Sequence, residues 1–193
     1  MRRLRLALIL LPFVVASCSA ITVTNQWKDP TWAGPPASNV LVLGIAKSDT
    51  NRRLFEDTFA QELQASGVTA EESYAVIPVG GGPKEKLVEL VKSSGAEALL
   101  ATRVQRVEQK TNEMTSGPAY GRFYAWYGNA WSMSPELTQY DVVTLETSVW
   151  DLKTEKVIWS TTTENVSSTN IPQAVRKLAS TLIPKLKSDG VIR

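Results

Sequence analysis

The spacing of apolar side chains predicts alternating strands and helices after residue 38. Residues 40–46 read Val-Leu-Val-Leu-Gly-Ile-Ala, a nearly continuous apolar run that is typical of a strand buried on both faces. The next apolar side chains recur every four residues and predict a helix with one face on this strand: Phe55, Phe59 and Leu63. We expect Asp49 or Thr50 to cap the start of this helix and Gly67 to end it.

The pattern of a strand followed by a helix is repeated in the next forty or so residues. Aromatic and β-branched residues within 69–78 predict a second strand. Pro83 is suited to the first position of a second helix, which turns its leucines inward and ends at Gly95. Residues 97–107 are apolar first and charged later, and they predict a third strand that leaves the core.

The second half of the chain is rich in β-forming residues and closes with a helix. Residues 139–151 and 156–167 predict an antiparallel hairpin, with residues 152–155 as its turn. Asn170 and Pro172 begin a last amphipathic helix with leucines along one stripe. Because Pro184 lies inside that stripe, we expect the helix to kink or to end early, near the residue before it.

These elements predict a single α/β (α+β) domain over residues 39–193. The order strand-helix-strand-helix-strand requires right-handed crossovers between parallel strands, so the first strand should lie between the second and the third. The hairpin extends these strands into a mixed sheet of about five strands, and the helices cover the sheet in two or three layers.

The first 17 residues have the pattern of a signal peptide. Three arginines lie within the first five residues, an apolar segment follows, and Val15-Ala16-Ser17-Cys18 closes it. Residues 6–17 would span only about 18 Å as a helix, against roughly 30 Å of bilayer hydrocarbon, which argues against a permanent membrane span. Val-Ala-Ser-Cys resembles the lipobox of bacterial lipoproteins, in which the cysteine is acylated and becomes the new N-terminus after cleavage.

We therefore predict that residues 1–17 are cleaved and that the mature protein begins at a lipidated Cys18. This cysteine is the single one in the chain, so it cannot form an internal disulfide. Inner-membrane lipoproteins often carry Asp at the position of Ser19, so resemblance to the sorting rule implies anchorage in the outer membrane, facing the periplasm. The alternative is an ordinary signal-peptidase site beside an incidental cysteine.

Residues 18–38 are predicted to be the lipidated N-terminus and a tether. Prolines and a glycine in its second half oppose regular structure. Twenty extended residues would reach on the order of 65 Å from the membrane. Trp27 and Trp32 would be costly to leave in water, so we expect the second half of the tether to dock on the domain.

Composition excludes several classes of function. The chain has no histidine, and its one cysteine is the predicted anchor, which rules out Ser-His-Asp and Cys-His catalysis and zinc sites built from His or Cys. Removing the three arginines of residues 1–17 from 21 basic side chains leaves 18, against 19 acidic ones. This near-neutral balance, with no basic run, predicts that the protein binds no nucleic acid.

Two local patterns suggest chemistry without providing it. Glu56 and Asp57 are adjacent on a predicted helix, where neighbouring side chains point about 100° apart, so we interpret them as a solvated face. Residues 80–84 read Gly-Gly-Gly-Pro-Lys but lack the spacing of a phosphate-binding loop, and we interpret them as a turn. We therefore predict no enzymatic activity, no cofactor and no metal.

Residues 111–137 form a long connection with little charge and many aromatic side chains, and connections of this length are usually functional or disordered. Six of these side chains are candidates for a binding surface: Tyr120, Phe123, Tyr124, Trp126, Tyr127 and Trp131. They could form a protein contact, a sugar-stacking surface or a membrane-interface contact, or they could fold back over the domain. Trp150 and Trp159 of the hairpin are interpreted as packing residues.

Several stretches resemble an uncharacterised family of bacterial outer-membrane lipoproteins. The likeness covers residues 27–36, 40–45 and 52–57, and residues 63–74 and 151–159 extend it over most of the mature chain. More remotely, the order of elements is similar to that of the TolB N-terminal domain, the penicillin-binding-protein activator lipoprotein LpoB and the curli-secretion lipoprotein CsgG. That resemblance implies a protein that binds other proteins and does not turn over substrates.

The sequence thus favours a non-enzymatic, periplasm-facing outer-membrane lipoprotein that acts as an adaptor or regulator of an envelope protein partner. The lipid on Cys18 attaches it to the membrane, and the loop from Tyr120 to Trp131 makes the contact. The alternative is a peptidoglycan-binding or glycan-binding lipoprotein, in which the same aromatic side chains stack on sugars.

Overall fold

The computed structural model describes residues 21–77, 84–114, 136–166, 168 and 170–193. These residues form six strands and three α-helices, with a short 3-10 helix at Ser73–Ala75. In chain order the elements are β1 (Thr22–Lys28), β2 (Asn39–Ile45), α1 (Asp49–Ala65), β3 (Thr69–Glu72), α2 (Lys84–Ser93), β4 (Ala98–Met114), β5 (Glu136–Asp151), β6 (Lys156–Val166) and α3 (Ile171–Ser188). Among the described helices, none is long and apolar enough to cross a membrane.

The strands form one mixed sheet in the order β1-β6-β5-β4-β2-β3. The apolar run at residues 40–46 forms most of β2, which lies between β3 and β4 and parallel to both, as predicted. The predicted hairpin is also present, since β5 pairs antiparallel with β6. The α/β (α+β) fold class is therefore confirmed.

The N-terminal segment departs from the prediction, because the first half of the expected tether is a strand. β1 pairs antiparallel with β6 along the edge of the sheet and brings the number of strands to six. Trp32 packs against the core, as expected for the second half, whereas Trp27 on β1 is 48% exposed. The folded domain thus begins before residue 39, since the backbone of β1 gains hydrogen bonds from β6 that composition does not reveal.

The core lies between one face of the sheet and the helices α1 and α3. From the sheet, Val42, Leu100 and Trp159 are fully buried, and Phe59 of α1 and Leu182 of α3 meet them. The stripe that predicted α1 is therefore confirmed as its inward face. Each such side chain contributes about 1.5–3 kcal/mol on burial, which holds the two helices on the sheet.

Several element boundaries differ from the predictions. Ser48, not Asp49 or Thr50, caps α1 by accepting a hydrogen bond from the backbone of Asn51 at 3.3 Å. The second strand is shorter than predicted and gives way to the 3-10 helix, while β4 runs seven residues beyond the predicted limit of 107. Gly67 and Gly95 follow their helices with positive φ, as predicted for C-terminal stops.

The last helix does not end early at Pro184. Asn170 caps α3 as predicted, and the helix continues through Pro184 to Ser188. Pro184 itself is exposed, so the carbonyl oxygen that it leaves without an N–H donor can bind water. Tertiary contacts hold the last turn in place, because Leu186 is fully buried and the Lys187 ammonium donates a hydrogen bond to the carbonyl of Ser66 at 2.6 Å.

Candidate functional site

β4 and β5 extend past the strands that flank them. β2 last pairs with β4 at Ile45 and Arg103, and β6 last pairs with β5 at Val166 and Val142. Beyond these points, residues 109–114 and 136–141 pair with each other in six register pairs, and no other described strand borders them. We call these residues the ribbon; it projects about 20 Å beyond the end of the sheet.

An apolar groove of about 270 Å³ lies at the base of the ribbon. The sheet forms its floor, and the first turns of α1 and α3 form its walls. Floor and walls carry apolar side chains: Val104, Val107, Val143, Leu145, Phe55, Ile171 and Val175, with Ile21 directly before β1. We call this cavity the end groove. Three apolar side chains at this end are more than half exposed: Ile45, Val104 and Val107.

A β-bulge in β4 places these valines on one face. Val104 pairs with Leu145 and Arg106 pairs with Thr144, so Gln105 is an extra residue between them. Side chains alternate along a strand, and a bulge shifts that alternation by one position. Because of the bulge, Val107 shares the face of Val104, and Arg106 points to the opposite face.

The opposite face of the same sheet end is charged. The Arg103 guanidinium lies 2.5 Å from Glu146, and Arg106 lies 3.2 Å from Glu108 and 3.9 Å from Glu164. Exposed ion pairs of this kind contribute about 0–1 kcal/mol each, so they mark a solvated face more than a source of stability. The sheet end is therefore amphipathic, with ion pairs on one face and an apolar face without a described cover on the other.

The buried polar cluster at the start of α1 is centred on Glu56, which is fully buried. Its Oε1 accepts hydrogen bonds from the Gly44 backbone N–H at 2.9 Å, and from Arg52 Nε and Ser73 Oγ at 2.8 Å each. Its Oε2 accepts from the Tyr74 backbone N–H at 2.8 Å. Both carboxylate oxygens are therefore engaged in holding α1, β2 and the 3-10 helix together.

The interpretation of Glu56 as part of a solvated face is wrong, although it holds for Asp57, which is exposed. A sequence signal for the buried position did exist. Arg52 and Glu56 precede Phe59 and Leu63 at spacings of four, three and four residues, which is the spacing of one helix face. Two charges that continue an apolar stripe indicate a buried ion pair.

A second cavity, of about 700 Å³, lies at the other end of β1, beside the turn between β5 and β6. Asp29 and Asp151 line it, together with Trp32 and Lys153. Hydrogen bonds from the hydroxyl and backbone N–H of Thr31 lower the pKa of Asp29. Burial opposes ionisation of Asp151, but its hydrogen bonds from residues 153 and 154 outweigh this and lower its pKa. Both carboxylates are ionised at neutral pH.

The residues that the sequence singled out fall mostly outside the described part of the chain. Cys18 and the six aromatic candidates of residues 120–131 lie there, so lipidation and the aromatic surface stay predictions. Trp159 is confirmed as a packing residue, since it is fully buried and its indole N–H donates to Asp189 at 2.7 Å. Trp150 meets that prediction only in part, because it is 37% exposed. No group of three or more potential metal ligands occurs among the described residues.

No protein-family model matches the chain, and no curated protein matches it. Among solved structures, a PelC dodecamer from Paraburkholderia phytofirmans shares 18% identity over 85% of this chain and 96% of that chain, with a TM-score of 0.49. Lipoprotein GNA1162 from Neisseria meningitidis shares 13% sequence identity over 78% of this chain and 99% of that chain, with a TM-score of 0.42. A minor lipoprotein from Acinetobacter baumannii shares 10% sequence identity over 79% of this chain and 94% of that chain, with a TM-score of 0.35.

These likenesses concern the fold alone. The similar structures include bacterial lipoproteins. The finer resemblance to the TolB N-terminal domain, LpoB and CsgG stays a prediction.

Proposed function

We propose that this protein is a non-enzymatic, lipid-anchored adaptor or regulator of an envelope protein, attached through Cys18 to the periplasmic face of the outer membrane. The observation that supports this most is the ribbon. An isolated pair of strands is only marginally stable in water, and its outer edges carry unpaired N–H and C=O groups. A projecting ribbon is therefore suited to pair with, or pack against, a second protein.

The position of the ribbon supports the same proposal. The two strands of the ribbon lead into and out of residues 115–135, which contain the six aromatic candidates. A contact made by the ribbon would thus bring these aromatic residues to the partner, as the sequence predicts. Large aromatic side chains contribute much of the binding energy at protein interfaces.

The buried carboxylate of Glu56 supports a structural role in preference to a catalytic one. A general acid or base needs a lone pair or proton that can reach a substrate. Glu56 is fully buried, and four donors occupy its oxygens. Glu56 therefore serves the fold and is not available as a general acid or base.

Photo-crosslinking in cells tests the proposal. A photoreactive amino acid is placed at position 109 on the ribbon and at position 126, with position 153 on the β5–β6 turn as the matched exposed control. We expect positions 109 and 126 to capture the same envelope protein and position 153 not to capture it. The pair Trp126→Ala and Trp131→Ala should then reduce recovery of that protein without unfolding the domain.

Two other outcomes are informative. If all three positions capture the same proteins, or if neither 109 nor 126 captures any protein, the adaptor proposal is wrong. If position 126 captures peptidoglycan, the glycan-binding alternative takes its place. Anchorage is tested separately, because Cys18→Ser should move the protein from the membrane fraction to the soluble periplasmic fraction.

A further inference from the structure

We infer that the end groove rests on the lipid leaflet in which the Cys18 acyl chains are embedded, so that the domain lies directly on the membrane. This inference rests on the lipidation of Cys18 in the proposed function. It goes beyond that function, because it assigns a lipid surface as the occupant of a groove at the base of the ribbon.

The chain between the lipid on Cys18 and the end groove is short. Ile21 lines the end groove, and β1 is held to β6 from Thr22 onward. Only Ser19 and Ala20 separate Cys18 from Ile21. Three Cα-to-Cα steps span at most about 11 Å, so the lipid-bearing residue lies within that distance of the groove. The reach of a long tether, expected from the sequence, is therefore not available to this domain.

The end groove is lined mostly by apolar side chains, among them two valines that are more than half exposed. Val104 and Val107, side by side on the floor of the groove, are 52% and 58% exposed. Contiguous exposed apolar side chains mark a surface that contacts something apolar. Asn51 and Asn165 also line the groove, and their amides can bind the polar region of a leaflet. Apolar side chains together with amides suit a surface that meets both acyl chains and headgroups.

The end groove and the second cavity lie at opposite ends of β1. β1 runs from the end groove at Thr22 to Lys28 beside the second cavity, and its seven residues span about 20 Å. If the apolar side of the groove lies on the leaflet, the ribbon runs beside the membrane surface, where an envelope protein can meet it, and the turn between β5 and β6 lies away from the leaflet. The close approach of the bilayer also leaves little room for a folded partner inside the groove, which favours lipid as the occupant.

The experiment uses the mature lipidated protein in vesicles of phosphatidylethanolamine and phosphatidylglycerol. Acylation consumes the single native cysteine, so Val107→Cys or Lys153→Cys introduces the one free thiol for an environment-sensitive fluorophore. Both positions are exposed, so the labels should leave the fold intact. We expect the label at 107 to shift to the blue and to be quenched by lipids that carry nitroxides on their acyl chains, and the label at 153 to show neither effect.

Adding Val104→Asp to the labelled Val107→Cys protein should reduce the quenching, because a carboxylate opposes contact with acyl chains. Equal responses at 107 and 153 in protein that floats with the vesicles would overturn the groove inference alone. A blue shift at 107 without quenching would also overturn it, since the lipid of the chain itself would then fill the groove. Protein that does not float with the vesicles would refute both the anchorage and the inference.

Discussion

The Glu56 cluster allows a sharp test of how this fold is held together. Replacing Glu56 with Ala removes the acceptor of four hydrogen bonds, two of which come from backbone N–H groups at Gly44 and Tyr74. Arg52, which is 6% exposed, keeps its bonds to Ser73 Oγ at 2.9 Å and to the Ile77 carbonyl at 3.2 Å. The variant thus leaves a buried cation with fewer acceptors.

The expected loss of stability is large. Removing one partner of a buried ion pair typically costs about 3–5 kcal/mol, and we expect the lower half of that range because Arg52 retains two acceptors. Domains of this kind have a free energy of unfolding of about 5–15 kcal/mol. One kcal/mol corresponds to about 2–4 °C in a chain of 150–250 residues, so Tm should fall by roughly 6–16 °C.

Urea unfolding followed by circular dichroism measures this loss, and α1 provides a matched control. Asp49 and Arg53 form an ion pair with the same spacing of four residues and the same 2.8 Å distance, but their side chains are 43% and 50% exposed. Asp49→Ala should therefore cost less than about 1 kcal/mol. If Glu56→Ala costs no more than Asp49→Ala, the argument that burial sets the energy of this pair is wrong.

A double variant separates the ion pair from the backbone donors. In Arg52→Leu with Glu56→Leu no buried charge remains, and such replacements are often neutral or stabilising elsewhere. Here the N–H groups of Gly44 and Tyr74 would still lose their acceptor, at about 1–3 kcal/mol each. We expect the double variant to stay less stable than the native chain. A double variant as stable as the native chain would show that these backbone bonds contribute little.

Three further predictions follow from single contacts. The hydrogen bond to Asp57 raises the pKa of Tyr74 to about 12. Asp57→Asn should return this pKa towards 10.0 in an ultraviolet titration of tyrosine, with Tyr74→Phe as the control that identifies its signal. An unchanged pKa would show that Asp57 is not the cause. Hydrogen bonds from the backbone N–H and hydroxyl of Ser38 lower the pKa of Glu97 in the folded protein. The ionised carboxylate therefore stabilises the fold fully above pH 4.5, and this stabilisation is lost as the pH falls through the lowered pKa. In Glu97→Gln, urea midpoints should therefore fall less steeply with acid than in the native chain, and parallel curves would contradict this. Pro184→Ala should stabilise the domain by about 1–3 kcal/mol in urea by restoring a helix donor, whereas equal stability would mean that the helix is not strained there.

Short-range pattern explains which parts of the fold could be predicted. The apolar run of β2, the hairpin of β5 and β6, and the cap at Asn170 each depend on residues close together in sequence, and all three are confirmed. β1 could not be predicted in this way, because its partner strand is distant in sequence. The Thr24 hydroxyl donates a hydrogen bond to the carbonyl of Thr162, 138 residues away. No local periodicity reports such a pairing, and the prolines after β1 favour a loop.

The candidate site was harder to predict for a related reason. Val104 and Val107 are three residues apart, so strict alternation along a strand would place them on opposite faces. The extra residue Gln105 reverses that outcome, and whether a strand holds a bulge depends on its register with β5, which the sequence of β4 alone does not contain. The apolar floor of the end groove is therefore a property of the pairing between two strands.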